Sequence, residues 1–225
     1  MATQLDLEEQ EQLDQLKTFW KQYGNLVTWL LIAVLAAYAA WNGWNYWQRD
    51  QAVKAGAMFD QLDKAAQAGD ADQAGRIFAD MKERFPRTAF TQQGGLLAAK
   101  VQFDKGQADA AAASLTWVGA NAAEDEYKTV AHLRLAGLLL DQKKYDEALK
   151  QLDGAVAKEF EALVADRRGD VLLAQGKPED AKAAYTKAWQ AMDAKVEYRR
   201  LIDAKLTALG AAPPAETPKT AGAAP

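Results

Sequence analysis

The stretch GKPEDA at residues 176–181 is the clearest of four related segments that decide the fold. The other three are GDADQA at 69–74, GQADAA at 106–111 and KKYDEA at 143–148. Their closing alanines are 37, 37 and 33 residues apart, a period typical of helical solenoids. Four positions after each alanine stands a large apolar residue: Phe78, Leu115, Leu152 and Tyr185. The sequence therefore predicts a stack of helical hairpins.

Each part of the repeated segment has a physical reason. A glycine at its start permits the left-handed turn that ends the first helix of a hairpin. An acidic residue near the start of the second helix suits the dipole of that helix. The small alanine lets two helices approach closely, and the bulky residue one turn later fills the space between neighbours.

This pattern resembles the tetratricopeptide repeat over roughly residues 50 to 190. The first two copies are degenerate, and their spacing implies insertions of about three residues relative to the usual repeat. The third copy matches at Ala136, Leu139, Ala148, Leu152 and Ala155. The fourth copy matches best, at Gly169, Leu172, Gly176, Ala181, Tyr185 and Ala188.

Composition agrees with an all-α fold. Alanine, leucine, lysine, glutamate and glutamine dominate, and all of them favour helices. The alternating Val/Ile/Thr-rich runs that mark strands are nearly lacking. A net charge of −4 without a strongly basic stretch gives no electrostatic footprint for binding nucleic acid. The chain has no cysteine, which excludes disulfides and thiolate metal ligands.

Residues 26–47 are predicted to form a transmembrane helix. The chain carries no charged side chain between Lys21 and Arg49, and a helix of about 20 residues spans the hydrocarbon core of a bilayer. Aromatic residues flank the apolar run, as in the two aromatic belts of a membrane span. The predicted membrane-anchoring aromatics are Trp20, Tyr23, Trp41, Trp44 and Trp47.

Two alternatives to a membrane anchor are a buried core helix and a cleaved signal peptide. The uncharged stretch is long for a core helix, and the acidic region before it is unlike the basic start of a secretory signal. Ala37-Tyr38-Ala39 nevertheless fits a small-x-small cleavage pattern. Lysines and arginines are nearly balanced on the two sides of the span, so the positive-inside rule leaves its orientation open.

The predicted domain organisation has four parts. Residues 1–25 form a short acidic amphipathic segment, which lies at the membrane surface, against a partner, or as a solvated tail. The transmembrane helix at 26–47 comes next. A repeat domain follows at 48–209 and ends in a capping helix from about Lys195 to Leu209. Residues 210–225 are rich in alanine and proline and are predicted to be a disordered tail.

Catalytic chemistry has little support. His132 is the only histidine and Ser114 the only serine, and no nucleophile–base motif surrounds either residue. There is no glycine-rich phosphate loop and no metal-ligand spacing, and an acidic run at 124–126 is best explained as a solvated helix start. The sequence predicts neither an enzyme, nor a cofactor or metal site, nor a small-molecule substrate.

One repeated position is a candidate for binding a partner. Phe103, Leu140 and Leu173 each stand eight residues before the closing alanine of their repeat, and Leu96 and Leu133 lie on the same face about two turns earlier. In the tetratricopeptide family this helix face tends to line the concave groove. An apolar groove suits extended or unfolded client segments. The alternative is that these residues pack between adjacent helices.

The order of the parts resembles a narrower family. The stretch from Glu8-Glu9-Gln10 to Leu16-Lys17-Thr18-Phe19-Trp20-Lys21, followed by Tyr23-Gly24-Asn25, is similar to the YfgM family, the ancillary subunits of the bacterial SecYEG translocon. The resemblance implies a single-pass inner-membrane protein with a cytoplasmic N-terminus and a periplasmic repeat domain. It also implies association with SecYEG and the periplasmic chaperone PpiD, and a role in handing on newly exported proteins. The proline-rich tail departs from the family's pattern. A structural scaffold for a cell-envelope or division assembly is the alternative.

Overall fold

The computed structural model describes residues 7–154 and 157–212, and within them the chain is helical without a β-strand. Residues 213–225, most of the predicted disordered tail, lie outside the described part. The helices are α1 (Leu7–Gln67), α2 (Ala71–Arg84), α3 (Ala89–Asp104), α4 (Ala108–Asn121), α5 (Asp125–Asp141), α6 (Tyr145–Leu152), α7 (Glu161–Ala174), α8 (Pro178–Ala191) and α9 (Arg199–Ala208), with a 3₁₀ turn at Lys158–Phe160. The all-α prediction is confirmed.

The chain divides into two compact units, the first ending at Gln51 and the second beginning at Ala52. The first unit contains the apolar part of α1. An 18-residue window of this helix has a mean hydropathy of 1.6, and only 6% of it is buried. By length and composition α1 can span a membrane, and its exposed apolar surface is unlike that of a core helix in a soluble protein. Residues 25 and 47, where the sequence places domain boundaries, lie within α1.

The second unit consists of four helical hairpins followed by α9. The last part of α1 and α2 form the first hairpin, with Leu62 of α1 and Phe78 of α2 in one apolar cluster. The next hairpins are α3 with α4, α5 with α6, and α7 with α8. Three hairpins turn at a glycine with positive φ: Gly69 at 67°, Gly106 at 76° and Gly176 at 80°. The third hairpin uses Lys143 at φ 59° in the same place. Each turn is closed by a backbone hydrogen bond back to the last turn of the first helix, as in Lys177 N–H to the carbonyl of Leu172 at 2.9 Å.

The repeated alanine and its large apolar neighbour form the packing unit that the sequence predicts. All four alanines are fully buried, and Phe78, Leu115, Leu152 and Tyr185 are at most 4% exposed. At two glycines a side chain of a neighbouring helix packs directly against the backbone. The ring of Phe78 lies where a side chain on Gly95 would be, and the ring of Tyr185 does the same at Gly169. These contacts leave no room for a methyl group.

The final helix begins later than the sequence suggests. It starts at Arg199 rather than near Lys195. Ile202 and Leu206 are its buried residues, and they pack with Tyr185 and Ala188 in a separate apolar cluster against the fourth hairpin. Val196, which precedes this helix, and Leu201, which lies within it, are exposed.

Candidate functional site

The five candidate groove residues lie on the first helices of successive hairpins but have different surroundings. Leu96 on α3 is buried, and Leu133 and Leu140 on α5 are half-buried and pack against the main core. Phe103 on α3 and Leu173 on α7 are exposed, by 47% and 41%. Phe103 and Leu173 are therefore the two available to a partner.

Phe103 borders a cavity of about 430 Å³, which we call the central pocket. Its walls come from α3, α4, α5 and α7, because α5 packs against α3 and α7 as well as its hairpin partner. The pocket combines small and apolar side chains with charged ones. Its lining residues are Ala99, Lys100, Phe103, Ala111, Leu115, Arg134, Gly137, Leu138, Asp141 and Arg167.

The charged residues of the central pocket are not among the candidates chosen from sequence. Lys100, Arg134 and Arg167 bring three positive charges, and Asp141 brings one negative charge. Arg134 and Arg167 each stand 14 residues before the closing alanine of their repeat. That shared position is the signal that could have identified them. The apolar pattern of the repeats does not include these two charged positions.

The fourth hairpin differs from the others because a carboxylate replaces an apolar residue. Asp166 occupies the repeat position of Leu96 and Leu133 and is 2% exposed. Lys205 on α9 places its Nζ 2.8 and 2.9 Å from the two carboxylate oxygens of Asp166 and 2.7 Å from Oδ1 of Asp170. This ionic contact fixes α9 to α7, at the repeat position that Leu96 occupies on α3 and Leu133 on α5.

Two tyrosine hydroxyls complete the cluster. Tyr185 donates to Asp170 and Tyr198 donates to Asp166, each at 2.8 Å. Burial raises the pKa of each tyrosine above its ordinary value, and the hydrogen bond to the nearby carboxylate and its negative charge raise it further. Both hydroxyls therefore stay protonated near neutral pH and act as donors to Asp170 and Asp166.

The single serine and the single histidine have different partners. Ser114 is buried and donates to Oε1 of Gln102 at 2.8 Å. His132 places Nδ1 3.0 Å from Oε1 of Gln151, and its ring lies against Gly119 and Gly154. Across residues 7–154 and 157–212, no group of three or more histidine or acidic side chains is arranged to hold a metal ion.

The predicted membrane-anchoring aromatics lie on α1, and all five are exposed. The rings of Trp44 and Trp47 are 5.2 Å apart, Tyr23 stacks against Phe19 at 5.2 Å, and the indole of Trp20 covers Gly24. Trp20 and Trp41 are 21 residues apart, which corresponds to roughly 32 Å along a helix and matches the thickness of the hydrocarbon core.

Comparison with known proteins agrees with this organisation. A family model described as a tetratricopeptide repeat-like domain matches residues 17–211. A protein of Neisseria gonorrhoeae named ancillary SecYEG translocon subunit is 31% identical over 204 residues, which is 90% of this chain and 98% of that protein. Proteins of the same name from Escherichia coli and Haemophilus influenzae are 30% and 27% identical, over 79% and 82% of this chain and 85% and 90% of their own lengths. The chain belongs to the tetratricopeptide repeat-like family of ancillary SecYEG translocon subunits.

Proposed function

We propose that the chain is a membrane-anchored adaptor of the Sec translocon, without catalytic activity. In this proposal residues 26–47 hold the protein in the bacterial inner membrane beside SecYEG. The repeat domain binds extended segments of partner proteins, namely the chaperone PpiD or newly exported chains. The observation that carries the proposal is the near full-length match to a relative named as an ancillary SecYEG translocon subunit. The exposed apolar helix supports the anchor, and the central pocket supports the binding of partners.

The translocon contact is tested by photo-crosslinking in intact cells. A photoreactive amino acid is placed at Ala36, an exposed residue of the apolar part of α1, and for comparison at Thr116, an exposed residue of α4. We expect crosslinks to translocon subunits from position 36 and none from position 116. Crosslinks from position 36 to division or wall-synthesis proteins instead would contradict the proposal and favour an envelope scaffold.

The proposed orientation places the N-terminus in the cytoplasm and the repeat domain in the periplasm. Since the chain has no cysteine, an introduced one is the only thiol that can react. Gln12→Cys at the start of α1 and Ala120→Cys on α4 both replace exposed residues. With a membrane-impermeant maleimide in cells whose outer membrane is permeabilised, we expect labelling of the Ala120→Cys chain only. The Gln12→Cys chain should react after lysis, and the reverse order of labelling would overturn this orientation.

A further inference from the structure

The two arginines of the central pocket reach across it in the same way. Nη1 of Arg134 on α5 donates to the carbonyl oxygen of Leu96 on α3, at 3.1 Å. The guanidinium carbon of Arg167 on α7 lies 3.6 Å from the point where a Cβ on Gly137 of α5 would be. Each arginine therefore extends to the first helix of the preceding hairpin. Two guanidinium groups from equivalent repeat positions thus line one cavity.

Carboxylates of the protein balance these charges only partly. Within the described part of the chain Arg134 forms no ion pair, and burial lowers the pKa of its guanidinium below its ordinary value. Asp170 is 3.7 Å from Arg167 but is already bound at 2.7 Å by Lys205 and at 2.8 Å by Tyr185. Three cationic side chains line the central pocket against one carboxylate, that of Asp141, so its lining carries an excess of positive charge. A hydrogen bond between a guanidinium and a carboxylate is charge-assisted and therefore strong.

An aromatic surface lies beside these cations. Phe103 borders the same cavity and is 47% exposed, with Ala99 one helical turn away on α3. A ligand that fits both features carries a carboxylate next to an apolar side chain. A peptide fits this description, because an extended chain can present a carboxylate and an apolar side chain to α5 and α3 at the same time.

We propose that the central pocket selects extended peptide segments in which an acidic side chain lies next to an apolar one. The carboxylate binds Arg134 and Arg167, and the apolar side chain packs against Phe103. The inference rests on the proposed function, in which the repeat domain binds extended partner segments, and adds the chemical class of those segments. Lys100 is paired with Asp104 at 2.6 Å and contributes mainly long-range attraction.

Fluorescence anisotropy with short dye-labelled peptides tests the inference on the full chain in lipid nanodiscs. The peptides share one apolar pattern and carry acidic, neutral or basic residues between the apolar ones. We expect the acidic peptide to bind roughly tenfold more tightly than the neutral one at low salt, with a smaller ratio at high salt. Arg167→Gln and Arg134→Gln should each reduce that preference severalfold, mainly by weakening the binding of the acidic peptide.

Two matched variants make the outcome specific. Arg76→Gln removes the same charge from an exposed position on α2, outside the pocket lining, and should leave the preference intact. Loss of the hydrogen bond to Leu96 could destabilise Arg134→Gln, and Arg134→Lys controls for this. The lysine keeps the positive charge and should retain part of the preference for the acidic peptide. Equal binding of acidic and basic peptides, or an equal loss with Arg76→Gln, overturns the inference and leaves the proposed function standing. If none of the peptides binds, both the inference and the proposed role of the pocket fail.

Discussion

Replacing Lys205 with methionine should weaken the packing of α9 on the fourth hairpin. We expect the free energy of local opening of α9 to fall by about 3 kcal/mol. The side chain of Asp166 is 3% exposed, and Lys205 is the cation that contacts both of its oxygens. Methionine keeps the length of the lysine side chain but leaves a buried carboxylate without its counter-ion. The hydroxyl of Tyr198 still donates to Asp166, and this limits the loss.

Hydrogen–deuterium exchange of the full chain in detergent measures this effect where it arises. The amides of residues 199–208 should exchange about a hundredfold faster in the variant, since 1.4 kcal/mol corresponds to a factor of ten. The amides of α3 and α4 should be unaffected, because hairpins in a repeat protein contact mainly their neighbours. Exchange of α9 at the wild-type rate would show that the Lys205 contacts do not hold this helix.

A double variant separates loss of the lysine from burial of a lone charge. Asp166→Leu introduces the residue found at the equivalent positions 96 and 133. Combined with Lys205→Met, it removes the buried carboxylate together with its partner, and apolar replacements of buried ion pairs are often neutral. We expect the double variant to recover at least half of the protection lost in Lys205→Met. If the double variant recovers no protection, the contact of Lys205 with Asp170, rather than that with Asp166, is the one that stabilises α9.

Replacing Gly95 with alanine is the second change with a large expected effect. The added Cβ would overlap Cγ2 of Val118 and lie 2.6 Å from Cζ of Phe78, and both side chains are buried. Alanine gains about 1 kcal/mol in helix propensity over glycine, but overpacking of this kind costs typically 1–3 kcal/mol and occasionally more. Because the added Cβ overlaps two buried side chains, we expect an overpacking cost of about 3 kcal/mol, at the upper end of that range. The net destabilisation is then about 2 kcal/mol, visible as a lower melting temperature in circular dichroism of the full chain.

The neighbouring glycine provides a matched control. A Cβ on Gly94 would be 3.3 Å from Sδ of Met81 and 3.4 Å from Cδ1 of Leu62, which are ends of flexible side chains. Gly94→Ala should therefore melt within a few degrees of the wild-type chain. Equal melting of the two alanine variants would contradict the close packing of α3 against α2 and α4.

The repeat core could be predicted from the sequence because its signals are local. The left-handed turn, the buried alanine and the bulky residue one turn later depend on neighbours in the chain. Position 143 shows that the hairpin geometry persists where glycine is absent, since Lys143 adopts the same φ region. The start of α9 is harder to predict, because the packing of this helix is decided by the contact of Ile202 and Leu206 with the fourth hairpin.

The charged part of the central pocket required the tertiary structure. Arg134 and Arg167 belong to different hairpins, and a sequence does not show that they line one cavity. The role of Asp166 depends on Lys205, which is 39 residues away. Apolar periodicity indicates the helix face on which Leu96 and Phe103 lie. That Phe103 is exposed and Leu96 is buried depends on the neighbouring helices and is seen only in the structure.

The most direct test of the account is a photo-crosslinking experiment in intact cells from the central pocket itself. The photoreactive residue replaces Phe103 on the lining of the pocket, with Thr116 on α4 as the exposed reference position. We expect position 103 to crosslink to a periplasmic chaperone or to newly exported chains and position 116 to give no such crosslinks. Crosslinks of equal strength from both positions, or none from position 103 while Ala36 still crosslinks to the translocon, would contradict a partner-binding role for this pocket.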